Sequence, residues 1–294
     1  MRGRFGDLIT AMVTPFDGEG NLDVDGAAEL ASWLGEQGSD GLVLAGSTGE
    51  GPTLSDDEKI TLWRSVHEAV GDKATIIANT GTYDTRHSIH LTKEAEKIGV
   101  DGVLVVTPYY NRPPQAGLLA HFKAVAAATA LPVILYDIPL RSSRKIEHET
   151  ILELAAVDNI VGVKDACGDA QGAARLTAEA PGDFQVYSGN DGDTLPWLAV
   201  GAVGVIAVAS HVAGPEMAEM ISRFKSNDTE TAQKINKGLM PVFDVMSITT
   251  NPIPVKAALK LMGKPAGDPR LPLIPATDNE VARIRGVLEG AGVL

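Results

Sequence analysis

Lys164 closes the apolar run I-V-G-V-K-D-A (160–166) at a point where strand alternation asks for another inward-facing apolar side chain. It alone among the lysines ends such a run; the others mostly punctuate helices or loops. A dry setting disfavours an ammonium and lowers its pKa from about 10.4, leaving free amine near neutral pH, the nucleophile that adds to a carbonyl carbon. The competing reading is an ion pair with neighbouring Asp165, or a strand end that reaches water. Tyr136, in V-I-L-Y-D-I-P, lies two residues from Ile134 and two from Ile138, so these three share a strand face and Asp137 takes the other. A phenol beside an amine can relay protons during imine formation. An ordinary core tyrosine is the alternative.

Other polar residues cluster just after apolar runs. G-S-T-G-E (46–50) carries two hydroxyls, Ser47 and Thr48, in a glycine-flanked turn whose backbone N–H groups could hold a carboxylate; Glu50 could cap the helix that follows. T-P-Y-Y-N-R-P brings Tyr109, Tyr110 and Asn111, and S-G-N-D ends a later run. Arg141 leaves the run containing Tyr136 and could grip a carboxylate in bidentate fashion, or simply be a solvated loop arginine. The histidines, at 67, 87, 90, 121, 148 and 211, show no metal-ligand grouping and read as structural or surface. The single cysteine, Cys167, has no histidine nearby in sequence to activate it and reads as a small buried or half-buried thiol.

The elements that must position these residues recur evenly. Short β-rich runs begin at Leu8, Gly41, Thr75, Gly102, Pro132, Ile160, Phe184 and Gly204, separated by amphipathic stretches such as D-D-E-K-I-T-L-W-R-S-V-H-E-A-V. Strands apolar on both faces and separated by helices imply a parallel sheet; eight even units imply closure into a (β/α)8 TIM barrel. An open doubly wound sheet is the competing architecture, but no G-x-G-x-x-G turn follows the first strand. After K-S-N-D-T-E the pattern is purely helical. We therefore expect a barrel over 1–226 and a C-terminal helical extension over 227–294. In such barrels the active site lies at the carboxyl ends of the strands, where the residues above fall.

Composition narrows the partners. Lys and Arg total 25 against 38 Asp and Glu, a formal charge of −13, which repels phosphate backbones and anionic lipid headgroups. Nucleic acid and membrane are not expected partners. One cysteine allows no internal disulfide, and no C-x-x-C or H-E-x-x-H supplies a zinc cage. The N-terminus is unlike a signal sequence and no run reaches the roughly 20 apolar residues of a spanning helix. A cytoplasmic setting is the expectation.

Taken together, G-S-T-G-E, T-P-Y-Y-N-R-P, Y-D-I-P followed by Arg141, G-V-K-D-A and N-P-I-P-V-K resemble the dihydrodipicolinate synthase and N-acetylneuraminate lyase family over essentially the whole chain. Y-Y-N-R-P, Arg141 and N-P-I-P-V-K look like the synthase branch. The resemblance implies that Lys164 forms an imine with pyruvate, that the derived enamine attacks the aldehyde of aspartate semialdehyde, and that no metal or organic cofactor is required. It places Tyr136, Ser47 and Tyr110 in a proton relay, Tyr110 reaching across a subunit interface. Thr48 matches the residue that holds pyruvate's carboxylate, Arg141 the one that receives the semialdehyde's, and Gly189 and Ile206 backbone positions of the pyruvate pocket. A homotetramer, a dimer of dimers, is the implied assembly.

Two departures bear on the substrate. Ser47 stands where the synthases usually have threonine, and Ser143 where a glycine often follows the arginine. The positions at which some members bind inhibitory lysine carry Asp56, Lys59, Tyr83 and His87, with Tyr109 retained, so weak or absent lysine feedback is expected. The alternatives are an aldolase that cleaves a sialic or 2-keto-3-deoxy sugar acid through the same imine, and a non-catalytic small-molecule-binding barrel.

Overall fold

Every apolar run named above is a strand. In the computed structural model, which describes residues 2–294, the strands are β1 (Leu8–Ala11), β2 (Gly41–Leu44), β3 (Thr75–Asn79), β4 (Gly102–Val106), β5 (Val133–Asp137), β6 (Ile160–Asp165), β7 (Gln185–Ser188) and β8 (Gly204–Ala207). Each pairs in parallel with the next, and β8 pairs back onto β1 through Ile9 and Ile206. The sheet is a closed barrel without an edge, which excludes the open doubly wound alternative.

Helices α1 (Val24–Glu36), α2 (Asp56–Val70), α3 (Thr85–Ile98), α4 (Gln115–Ala126), α5 (Pro139–Ser142), α6 (His148–Ala155), α7 (Ala170–Glu179), α8 (Thr194–Ala199) and α9 (Ser210–Lys225) fall between and after the strands. Their starts follow from local sequence. The Asp23, Asp84 and Asp169 side chains accept from the first-turn N–H groups of α1, α3 and α7, and Ser55 forms a reciprocal capping box with Glu58 on α2. Helices α10 (Thr229–Val245), α11 (Ile253–Leu261) and α12 (Asp278–Gly290) complete the chain, α10 packing on α9 and α12 on α11.

Strand alternation divides the apolar residues into two cores. Leu8, Leu42, Val103, Leu135, Val163 and Val205 face the helices, while Ile9, Val43, Leu104, Ile134, Tyr136 and Ile206 fill the barrel. One irregularity changes which side chains point inward. Val133 pairs with Ile160 but Ile134 pairs with Gly162, so β6 carries one extra residue, Val161. Ile160 faces the helices and Val161 the interior; strict period-two counting from Ile160 would send Lys164 outward, and the bulge reverses that phase.

Candidate active site

The bulge brings Lys164 into register with Tyr136 on one side and Tyr187 on the other, both residues of the barrel interior. Lys164 keeps 5% of its surface accessible and Tyr136 4%. The amine Nζ stands 4.4 Å from the centre of the Tyr136 ring. Among the described residues no carboxylate lies within ion-pair distance of it, so the alternative pairing with Asp165 does not occur; Asp165 instead accepts the Cys167 backbone N–H at 2.8 Å. The nearby Asp191 carboxyl is raised by burial, against the pull of N–H donors from Val208 and Ala209 and of the Lys164 charge.

The opposite faces of the same two strands carry a different chemistry. The Cys167 thiol donates to Asp137 Oδ2 at 3.1 Å, and the Ile146 N–H reaches the same oxygen at 3.2 Å. Burial raises Asp137 to about 6 and pushes the Cys167 thiol upward, away from thiolate reactivity. Cys167 is thus a half-buried thiol. Among the histidines, His211 is the most buried: it accepts from Val13 N–H through Nε2, donates through Nδ1 to the Val208 carbonyl, and is held down at about 4 by burial.

The turn after β2 is pinned from several sides. Thr14 Oγ1 donates to the Gly49 carbonyl at 2.6 Å, and Gly51 N–H returns to the Gly46 carbonyl. A Cβ on Gly51 would lie 2.1 Å from the Ala45 carbonyl oxygen, so no other residue fits there. Glu50 does not cap α2, contrary to the sequence expectation; Ser55 does. Glu50 is buried in the left-handed region at φ 52°, with Oε1 2.6 Å from the ammonium of equally buried Lys256 and Oε2 accepting the Arg270 N–H. Partners more than 200 residues away gave no local signal.

Of the remaining expected residues, Thr48 is buried and Ser47 half-buried beside it, Gly189 follows β7, and Ile206 is buried in the barrel. A Cβ on Gly189 would meet that of Ala166 at 2.7 Å, so the close packing of the two loops requires glycine. Arg141 is exposed on α5 and donates to the Asn251 carbonyl at 3.0 Å, while Asn251 Nδ2 donates to Thr48 Oγ1 at 2.9 Å. Asn251 had no assigned role in the sequence reading; N-P-I-P-V-K was the available signal. A cavity of about 290 Å³ opens here, lined in part by Ser47, Val106, Arg141 and Asn251. Lys164, Tyr136 and Thr48 are not in its wall; Val106, which pairs with Tyr136, and Ser47, which precedes Thr48, are.

Tyr110 is set apart. It is 94% exposed at φ 69° and makes no hydrogen bond among the described residues, and the hydroxyls of Ser47 and Tyr136 are likewise unbonded there. Of the residues matched by resemblance to the lysine site of some relatives, Asp56, Lys59 and His87 lie together and Tyr83 meets Tyr109. His87 Nε2 contacts both Asp56 oxygens at 2.8 and 3.0 Å, Lys59 lies 3.9 Å from Asp56, and the Tyr83 and Tyr109 rings meet edge to face. Burial pushes the Lys59 ammonium downward. Among the described residues no group of three His, Cys, Asp or Glu is arranged to hold a metal ion, and no helix is long and apolar enough to cross a membrane.

A sequence model of the dihydrodipicolinate synthetase family matches residues 4–291. The chain belongs to that family. A 4-hydroxy-tetrahydrodipicolinate synthase from Moorella thermoacetica is 52% identical, over 99% of this chain and 100% of its own. Among solved structures, a dihydrodipicolinate synthase from Bacillus anthracis superposes with a TM-score of 0.95 at 45% identity, covering 98% of this chain and 99% of its own. The enzyme from Cyanidioschyzon merolae with lysine bound reaches a TM-score of 0.97 at 43% identity, with 99% of each chain covered. Family membership and the closed barrel with its C-terminal helices agree with the resemblance drawn from the motifs.

Proposed function

We propose that this chain is a lyase of the aldolase type that condenses pyruvate with L-aspartate 4-semialdehyde to 4-hydroxy-tetrahydrodipicolinate, through an imine on Lys164. The observation that carries this reading is a buried amine in register with a tyrosine, free of any ion pair, at the carboxyl end of the barrel. It is supported by family membership and by full-length relatives that carry that synthase name.

The residues divide the work as follows. The Lys164 nitrogen adds to the pyruvate ketone, and loss of one water gives the imine, with Tyr136 moving protons at the carbonyl oxygen. Thr48 holds the pyruvate carboxylate, and the Gly189 and Ile206 backbone lines the pocket. Loss of a methyl proton gives the enamine, whose carbon attacks the semialdehyde carbon while Arg141 holds the second carboxylate. The semialdehyde's own amine then attacks the imine carbon and expels Lys164, closing the six-membered ring and regenerating the amine. Atoms balance with one water released, and no cofactor enters the steps. Ser47 and a partner's Tyr110 complete the proton path, which makes the active unit at least a dimer; the homotetramer, as a pair of such dimers, is the assembly we propose. A reducing cytoplasm fits a chain whose single cysteine is unpaired.

Borohydride reduction with pyruvate tests the reading: a pyruvyl mass on the Lys164 peptide, with turnover of aspartate semialdehyde in a coupled assay, is expected. An unmodified mass would favour a binding barrel. Trapping accompanied by cleavage of a sialic or 2-keto-3-deoxy sugar acid would favour the aldolase, against which Arg141 argues, since a polyol tail asks for neutral hydrogen bonders.

A further inference from the structure

Asn251 lies where the chain returns over the open end of the barrel between α10 and α11, and it touches both residues proposed to grip carboxylates. A threonine hydroxyl has one hydrogen and two lone pairs, and an amide N–H can only fill a lone pair. With Asn251 Nδ2 at 2.9 Å, one lone pair of Thr48 is occupied and its hydrogen is left over. Among the described residues Thr48 finds no acceptor for that hydrogen. The same residue, through its backbone carbonyl, holds one nitrogen of the Arg141 guanidinium at 3.0 Å.

We infer that Asn251 is a positioning residue: its side-chain amide turns the Thr48 hydroxyl into a fixed donor for a keto-acid carboxylate, and its backbone carbonyl sets Arg141 at a constant distance from that donor. The inference rests on the proposed condensation for the identity of the two carboxylates. A donor already aimed costs no reorientation when the anion arrives, so its worth is read in affinity for the keto acid. The side chain acts on pyruvate and the main chain on the second substrate, so substitutions at 251 affect the two unequally.

The test follows borohydride trapping of Lys164 against pyruvate concentration, a readout that needs no second substrate. Asn251→Asp, nearly isosteric, replaces the donor by an acceptor that competes for the Thr48 hydrogen. The half-saturating pyruvate concentration is expected to rise about ten- to hundredfold, the effect of losing one hydrogen bond to a charged group. Asn251→Ala is expected to raise it less. In a Thr48→Val background Asn251→Ala is expected to change nothing further, because its effect passes through the missing hydroxyl. KM for the semialdehyde stays within about twofold in Asn251→Ala, which keeps the backbone carbonyl. Unchanged pyruvate dependence in Asn251→Asp, or additive losses in the double variant, would overturn the inference, as would an equal fall in kcat with both KM values unmoved. If the wild type traps pyruvate but does not turn over the semialdehyde, the proposed reaction fails while the Thr48 coupling is still measured.

Discussion

Tyr136 and Lys164 are each followed by an aspartate, so the strands that present a phenol and an amine to the barrel interior present Asp137 and Asp165 to the opposite side. Asp137 Oδ1 is buried without a hydrogen-bond partner, and burial outweighs the help of the Cys167 thiol and the Ile146 N–H, raising the carboxyl to about 6. The folded chain therefore holds this proton to higher pH than the unfolded chain, whose aspartate titrates near 3.8. Between those values the folded state binds more protons, so this group lowers stability as pH rises from about 4 to about 6, and its penalty is constant above. Asp137→Asn is expected to raise stability at pH 7.5 by about 1–3 kcal/mol and to leave it nearly unchanged at pH 4. Thermal unfolding at the two pH values checks this; an equal gain at both would refute the titration as the cause.

At the scale of elements, the pair that matters most joins the turn after β2 to α11. The Glu50 and Lys256 side chains are each 1% exposed, so removing one partner strands the other's charge in a dry site. Lys256→Met is expected to cost about 3–5 kcal/mol in urea unfolding, and adding Glu50→Gln to recover part of it. A loss no larger than that of a surface lysine would show the pair to be solvated. Strand existence and the order of elements were legible because each rests on neighbours in sequence: short apolar, β-rich runs for β1 to β8, and three- and four-residue apolar spacing for the helices between them. The role of Glu50 was misread because its partners, Lys256 and Arg270, are distant in sequence. The inward aim of Lys164 depends on the extra residue in β6, which strict alternation from Ile160 does not contain.

For the molecule as a whole, the site in one chain lacks a hydroxyl it is proposed to use. Tyr110 points into solvent, and Tyr83 and Leu140 are exposed as well. If Tyr110 acts in trans, Lys164→Ala and Tyr110→Phe chains, each inactive or severely impaired alone, regain activity when co-expressed, since a mixed dimer holds one intact site. Absence of recovery in a verified mixed oligomer would place Tyr110 outside the partner's chemistry. The positions matched by resemblance to the lysine site of some relatives belong to this scale too: the Asp56 carboxylate there is already contacted by His87 at both oxygens and lies beside Lys59, so millimolar lysine is expected to leave steady-state turnover essentially intact. Strong inhibition there would contradict it. The amino-acid sequence by itself determined the eightfold strand and helix rhythm, the acidic surface and the types of residue able to form an imine, because these depend on local periodicity and on side-chain chemistry. Only the tertiary structure decided that Lys164 turns inward without a counter-ion, that Glu50 is locked to Lys256, and that Asn251 bridges Thr48 and Arg141. Those facts depend on strand register and on contacts between residues far apart in the chain, which no local pattern encodes.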